Sequence, residues 1–510
     1  LVAGYKIGIH TLTGATINSG TGKISLDGKN TNTYNASSGW KNSIEIVGTT
    51  ITSANAASDA ISINGDSSTA DAKNDQGIYA VQISGNTVIS ATAGGGVSLT
   101  GKTNAGSSVT DKVDFYLKDA SILADSGPIT ITGLTSQGIK FDGNAYAGYK
   151  SGSAIEASSS NIAIMADKLT LAGTDRIQSS GALTVKPYSA TTIGIAGGAG
   201  TLSLPASYFA DNFTNGFSGI TIGSASAGNI TIGNNALTYN DPLTLKTAGN
   251  ITAGSSSLTG AVDQNASLVL WADADANGTG SISLSSSSIT TNNAHLWMGG
   301  GSGSTTWNGL AVGNGAAGGN QAIYAINSTL NTGSGDSYLY GRSTGTDNTN
   351  GLGIGVYLDN NTLLSGKNIT ITGEGSLYNT GGRNFGVNIQ GNPTDAKVTA
   401  SGDITITGTG GGKSDSGVRS HGVLIRNSTG GKAVEATGSG NITITGYGGP
   451  QGADNGHGII LGEGASTDYW HSGIIQSAGG NITLKGNIGN GASSTGIVFG
   501  TDAATQSKLI

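Results

Sequence analysis

The 510-residue chain carries 88 Gly, 6 Pro and no Cys, with 36% hydrophobic and only 11% charged residues. A disordered chain shows more charge and fewer apolar residues, the lack of Cys excludes disulfides and Cys-type metal sites, and a net charge of −7 with no basic run makes nucleic acid and anionic membrane poor partners. With charge below half the roughly 25% of an ordinary domain, the surface must be polar through Ser, Thr, Asn and Gly, which signals many short strands joined by tight turns.

In chain order, one phrase keeps returning. It reads Lys23-Ile-Ser-Leu-Asp-Gly28, Ala60-Ile-Ser-Ile-Asn-Gly65, Gly96-Val-Ser-Leu-Thr-Gly101 and Pro128-Ile-Thr-Ile-Thr-Gly133. The middle adds Lys168-Leu-Thr-Leu171, Ala182-Leu-Thr-Val185, Gly219-Ile-Thr-Ile-Gly223, Asn229-Ile-Thr-Ile-Gly233 and Pro242-Leu-Thr-Leu245. Only residues 205–218, aromatic and without alternation (Pro205-Ala-Ser-Tyr-Phe-Ala-Asp-Asn-Phe-Thr-Asn-Gly-Phe217), break the pattern, and they are predicted to leave it as a loop or short helix. Further on the phrase sharpens to Asn368-Ile-Thr-Ile-Thr-Gly373, Asp403-Ile-Thr-Ile-Thr-Gly408, Asn441-Ile-Thr-Ile-Thr-Gly446 and Asn481-Ile-Thr-Leu-Lys-Gly486, at intervals of 35 (403 − 368), 38 (441 − 403) and 40 (481 − 441) residues. A second phrase interleaves with it: Gly355-Val-Tyr-Leu358, Gly386-Val-Asn-Ile389, Gly422-Val-Leu-Ile425, Gly458-Ile-Ile-Leu461 and Gly496-Ile-Val-Phe499. A third, weaker one is set at Leu363, Val398, Val434 and Ile474.

Apolar residues at every second position make each phrase a strand, with Ile369 and Ile371 on one side and Thr370 and Thr372 on the other. Ile and Thr suit a pleated surface, and Gly is expected to close the strand where the chain turns. Three short strands per repeat predict an all-β, right-handed parallel β-helix, a solenoid with three short strands per coil that runs as one continuous array through residues 1–510 and stacks Ile369, Ile404, Ile442 and Ile482 in one inward ladder. Whether one repeat of about 38 residues makes one coil or two stays open at this point. With coils of about 20 residues stacked at about 4.8 Å, the array would be on the order of 120 Å long. No stretch keeps apolar residues at helical spacing, and no apolar run approaches a membrane span of about 20 residues. The start Leu1-Val-Ala-Gly4, without Met or signal peptide, and the end Lys508-Leu-Ile510 read as cuts from something longer.

Gly181-Ala-Leu-Thr-Val185, Thr192-Ile-Gly194, Gly219-Ile-Thr-Ile-Gly223 and Gly228-Asn-Ile-Thr-Ile-Gly233, with Ser267-Leu-Val-Leu-Trp-Ala-Asp-Ala-Asp275 and Gly280-Ser-Ile-Ser-Leu284, resemble the repeat region of filamentous-haemagglutinin-like adhesins and exoproteins of Gram-negative bacteria. The resemblance spreads over most of the chain and is sharpest from about 160 to 290. It implies an extracellular, cell-surface or secreted protein, exported with an outer-membrane partner by two-partner secretion, that adheres to host or bacterial receptors, glycans or matrix without catalysis. The family's secretion domain carries Asn-Pro-Asn near its start, whereas the one Asn-Pro here is Asn392-Pro393-Thr394. A self-assembling surface fibre, sheath or layer subunit is the first alternative, and a polysaccharide-active β-helix enzyme the second.

No residue is assigned to catalysis, to a cofactor or to a metal, and no cofactor is expected. Asp273-Ala-Asp275-Ala-Asn277-Gly278 matches the first half of a calcium loop, but Leu284 stands where the closing Glu belongs, and a turn whose side chains bond their own backbone is the simpler reading. Glycoside hydrolysis needs converging carboxyl groups, and Glu45, Glu156, Glu374, Glu435 and Glu463 are scattered in turn-like settings. His421, His457 and His471 recur near repeat spacing, which would align them on one flank; repeat-encoded turn residues are the simpler reading and a metal site the other. Gly408-Thr-Gly-Gly-Gly412 lacks the strand-to-helix setting of a phosphate loop. Trp271, Trp297, Trp307 and Trp470, with Tyr338 and Tyr340, offer flat faces for sugar rings or, more simply, pack loops onto coils. The sequons at Asn229, Asn250, Asn368, Asn441 and Asn481 belong to the repeat itself.

Overall fold

A computed structural model describes residues 7–31, 41–70, 77–107, 109–143, 146–148, 159–262, 264–302, 305–307, 310–312, 316–318, 320–345, 352–378, 383–391, 393–412, 419–428, 431–449, 456–462, 473–489, 494–500 and 508–510. The chain divides into two compact units, residues 1–223 with 240–242, and residues 224–239 with 243–510. Both are all-β parallel solenoids.

In the first unit, successive strands as far as Ala182–Lys186 go in turn to a first, a second and a third parallel sheet, after which Ile193–Ile195 and Leu202–Leu204 pair with each other. Ile44–Val47, Ile78–Ser84, Lys112–Lys118 and Ile139–Asp142 are neighbours in the first; Thr50–Ser53, Val88–Ala91 and Ser121–Ala124 in the second; Ile24–Lys29, Ile61–Ser67, Val97–Thr103, Ile129–Gly133, Ile162–Met165, Ala182–Lys186 and Gly219–Gly223 in the third. Register follows the apolar alternation. Ile44, Val81, Phe115 and Ile139 line up across the first sheet, as do Ile46, Ile83, Leu117 and Phe141, all buried. The aromatic break does form a single wide helical turn, Tyr208–Asn212. The Tyr208 hydroxyl accepts the Leu171 N–H at 2.9 Å, Asn212 donates to the Ala172 and Asp175 carbonyls at 2.7 and 2.9 Å, and Phe213 pairs with Ile177 in the place of a strand residue. Its aromatic side chains fill the coil that a missing alternation would leave hollow.

The second unit repeats the scheme. Its third sheet runs Leu243–Lys246, Leu268–Ala272, Leu296–Gly300, Ser337–Ser343, Ile369–Glu374, Ile404–Thr409, Ile442–Tyr447 and Ile482–Asn487. Its first sheet includes Gln321–Ile326, Ile354–Asp359, Val387–Gly391, Val423–Asn427 and Ile459–Leu461, and its second Leu363–Gly366, Lys397–Ala400, Lys432–Ala436 and Ile474–Ser477. Ile369, Ile404, Ile442 and Ile482 are direct neighbours, and so are Ile371, Ile406, Ile444 and Leu484. One repeat of the main phrase is therefore one coil. Coil length varies widely in this unit. Asn229 and Asn250 bond across adjacent coils with a sequence separation of 21, and Asn441 and Asn481 do so with a separation of 40. Most coils are thus longer than the sequence alone suggested. Burying each aliphatic side chain contributes roughly 1.5–3 kcal/mol, and the ladder adds that gain once per coil.

Two expectations need correction. In the second sheet the aligned inward residues are Leu364, Val398, Val434 and Ile475, all fully buried, whereas Leu363 and Ile474 point the other way. Two apolar residues in a row, Leu363-Leu364 and Ile474-Ile475, hid a slip of one position, which in a strand reverses the face. The glycine of the main phrase ends its strand at Gly133 and Gly223 but not in the sharp repeats of the second unit. Gly373, Gly408, Gly446 and Gly486 lie inside their strands. A methyl at any of them would overlap the carbonyl oxygen of Gly386, Gly422, Gly458 or Gly496, where the next strand of the first sheet begins. The glycines let two backbones meet at a corner of the coil.

Candidate functional site

Outward-facing side chains are where a solenoid with a closed core meets other molecules, and most of the conspicuous ones here are committed to the neighbouring coil. The residue before each main strand forms a ladder: Asn368 Oδ1 accepts the Asp403 N–H at 3.0 Å, Asp403 Oδ1 the Asn441 N–H at 2.7 Å and Asn441 Oδ1 the Asn481 N–H at 3.0 Å. Asn229 does the same for Asn250, and Asn250 for Ser281, each at 2.9 Å. The sequon asparagines thus serve as inter-coil ties.

Tyrosines tie coils by another route, one that sequence reasoning missed. Tyr79 donates to Asp111 at 2.6 Å and Tyr116 to Asp142 at 3.0 Å, with ring centroids 4.9 Å apart; Tyr324 donates to Asp359 at 3.2 Å and stacks 5.1 Å from Tyr357. Burial, with the Asp359 carboxylate beside it, pushes the Tyr324 phenol up to about 12, so it stays a donor. The signal was a Tyr followed about one coil later by an acid. Asp114 was also missed. It is fully buried, and its carboxylate accepts five bonds, from the N–H and hydroxyl of Thr103, the N–H and hydroxyl of Thr135, and the Gly138 N–H, at 2.6–3.2 Å.

The outer side of the first sheet in the second unit is itself covered. Asn388, Gln390 and Arg426 are buried there, and Gln390 Oε1 accepts from Arg426 Nε at 3.1 Å and Nη2 at 2.9 Å. Phe385, His421 and His457 stack in a column with centroids 5.0 and 5.1 Å apart. Two of the repeat-spaced histidines do line up, and His471 lies outside the described residues. His421 is buried with Nδ1 unbonded. Desolvation pushes its pKa well below the ordinary histidine value, and His457, Arg419 and Arg426 push it the same way.

The half calcium loop bonds itself. Asp273 Oδ1 accepts the Gly278 N–H at 2.9 Å, Asp275 Oδ2 accepts the Asn277 side-chain amide at 2.7 Å, and Asn277 Oδ1 accepts the Thr279 N–H at 2.9 Å. Among the described residues no group of three or more His, Asp or Glu is set to hold a metal, and no helix is long and apolar enough to cross a membrane. Glu45 pairs with His10 at 3.6 Å in the first unit. In the second unit Glu374 accepts from Tyr340 at 3.4 Å on the third sheet, and Glu435 binds Lys397 and Lys432, each at 2.6 Å, on the second. Glu156 and Glu463 lie outside the described residues.

Trp271 and Trp297 are buried, 8% and 4% exposed, edge to face at 6.0 Å, with Val269, Ala274 and Tyr338. Lys246 Nζ sits 3.8 Å from the Trp271 ring centre and closes that face. These rings pack loop onto coil and offer no free face to a sugar. The side chain of Trp307 and all of Trp470 lie outside the described residues.

Several outward hydroxyl columns are not committed, among them Thr238, Thr259 and Thr290, and Thr231, Thr252 and Ser283; one such surface is two columns wide over four coils. Across four coils of the third sheet, Thr370, Thr405, Thr443 and Thr483 stand in one column and Thr372, Thr407, Thr445 and Lys485 in the next, paired in register without a bulge. These seven threonines are half-buried to exposed. Among the described residues none of their hydroxyls bonds within the protein, unlike the hydroxyls at coil corners such as Thr87, Thr291 and Thr362. No family model, curated protein or solved structure matches the chain.

Proposed function

We propose that this chain is an extracellular structural and adhesive element of a bacterial surface or secreted exoprotein of the filamentous-haemagglutinin-like kind. It would be a right-handed solenoid with three strands per coil, continuous through residues 1–510, exported with an outer-membrane partner. It holds a surface in place and binds host cells, matrix or other bacteria without turnover. The observation that carries this reading is the contrast between committed and free side chains. Asp114, Asp403, Tyr79, Tyr116, Tyr324, Asn229, Asn250, Asn368 and Asn441 are spent on joining coils, Trp271 and Trp297 are buried, and the two-column threonine surface of residues 370–483 faces solvent in register. Such a construction suits display and contact.

Adhesion is tested with the purified chain coated on beads and offered to epithelial cells, immobilised matrix proteins and bacterial cells, against beads coated with an unrelated solenoid. Saturable binding above the control is expected with at least one of them. Binding at the control level for all three overturns the reading. Filaments in the same preparation under the electron microscope would move it to a fibre subunit, and release of reducing or unsaturated ends from polysaccharides would move it to an enzyme.

A further inference from the structure

The threonine surface has a geometry that singles out one class of partner. Rows repeat at the coil spacing of about 4.8 Å, and the two columns, two residues apart along each strand, lie about 6.7 Å apart. Thr is stiff at χ1, so an in-register column repeats the same hydroxyl and methyl arrangement from row to row. Water held in a tetrahedral network with oxygens about 2.75 Å apart has second neighbours at about 4.5 Å and repeats along its stacking axis at about 7.3 Å. The two grids agree within about a tenth in both directions, so over four rows the drift stays near one ångström.

We propose that the face formed by Thr370, Thr372, Thr405, Thr407, Thr443, Thr445 and Thr483 binds the surface of ice. Its hydroxyls are free to join the lattice, since none bonds within the protein, and its methyls fill the spaces between lattice waters. Other partners fit less well. The patch spans about 200–300 Å², far below the roughly 800 Å² per side that a stable protein interface buries, which disfavours a second copy of the chain. A sugar chain is recognised by flat aromatic faces and polar side chains that fix its hydroxyls, and the two threonine columns themselves carry neither an aromatic ring nor a carboxylate. The boundary is set by Tyr338 and Tyr340 in the row before, Lys485 in the last row, Asp403 on one side, and Glu374 and the half-exposed Tyr447 on the other.

The inference goes beyond the adhesive reading, and each can fail alone, because cell and matrix binding is measured separately. A solution of the full chain is frozen slowly onto a cold finger, and the protein in the ice is compared with that left in the liquid, next to an unrelated protein that ice excludes. The chain should enter the ice severalfold more than the control. Thr407→Tyr raises a ring above the plane, and Thr407→Val keeps the β-branched shape but removes the central hydroxyl. Tyr should drop incorporation to the control level, Val should lower it, and both should melt at the temperature of the parent chain. Incorporation equal to the control for the parent overturns the proposal, as does incorporation that neither substitution changes. Retention on insoluble chitin or cellulose that Thr407→Tyr abolishes, without enrichment in ice, replaces ice with a polysaccharide.

Discussion

A carboxylate buried as completely as Asp114 persists because its oxygens are saturated. Removing it strands the donors of Thr103, Thr135 and Gly138 in the interior. Asp114→Ala should therefore cost about 1–3 kcal/mol, the range for leaving buried donors unsatisfied, read as a lowered denaturation midpoint in guanidinium. A loss below about 1 kcal/mol, the net worth of one ordinary hydrogen bond, would mean that the threonines find other partners. His421 makes the opposite case, a buried titratable group held neutral. Its folded pKa lies below the unfolded value of about 6.5. Above that pH neither state is charged and stability does not depend on this group. As pH falls through 6.5 the unfolded chain takes up the proton first, and stability is lost. His421→Phe, which copies Phe385 in the same column, should flatten the fall in melting temperature between pH 7.5 and pH 5 relative to the parent chain. An identical slope would remove His421 as a cause. Repeat spacing marked His421 and His457 as candidates to align, but neither the burial of His421 nor the network at Asp114 was legible in the sequence, and only the fold shows what closes over them.

For the single strand, glycine separates two kinds of constraint. At Gly408 a methyl has no room because the Gly422 carbonyl occupies the space, whereas at Gly254, in Ile251–Gly254, nothing lies within contact and the backbone is in an ordinary strand conformation. Gly408→Ala should destabilise by about 1–3 kcal/mol through overpacking, and Gly254→Ala should be neutral or stabilise by about 0.5–1 kcal/mol through the unfolded chain. Opposite signs in paired urea melts are the test, and a common sign would refute the close-approach account. At this scale the sequence was most readable. Alternation of Ile and Thr marked strand, inward face and neighbour correctly in the main phrase, because a period of two admits one inward set. It failed at Leu363-Leu364 and Ile474-Ile475, where adjacent apolar residues leave the set ambiguous by one. It also misread why the phrase ends in Gly, since the obstructing Gly422 belongs to the approach of another strand, Val423–Asn427, and only folding brings it to Gly408.

Within each unit the strands of a coil pair with those of the coils before and after it, and a longer reach such as Thr344 to the Gly278 carbonyl is the exception, so damage should spread by contact instead of at once. Ile444 is fully buried between Ile406 and Leu484, and Ile444→Asp puts an unpaired charge there, a cost that a single coil cannot absorb. If neighbouring coils couple only through their shared ladders, hydrogen exchange should rise sharply in 404–409, 442–447 and 482–487. Within the same unit, amides of Leu243–Lys246 and Leu268–Ala272 should keep their protection. Equal loss of protection in all these strands would mean that the unit unfolds as one cooperative body. A graded loss would explain how coils as short as the one from Asn229 to Asn250 and as long as the one from Asn441 to Asn481 coexist in one unit: only the inward ladders must match from coil to coil, and the length between strands is free to vary. That freedom also limits what the sequence reveals about function. The ladders recur and are readable, whereas the threonine surface is set apart only by its width, two columns over four coils, once the strands are stacked in register.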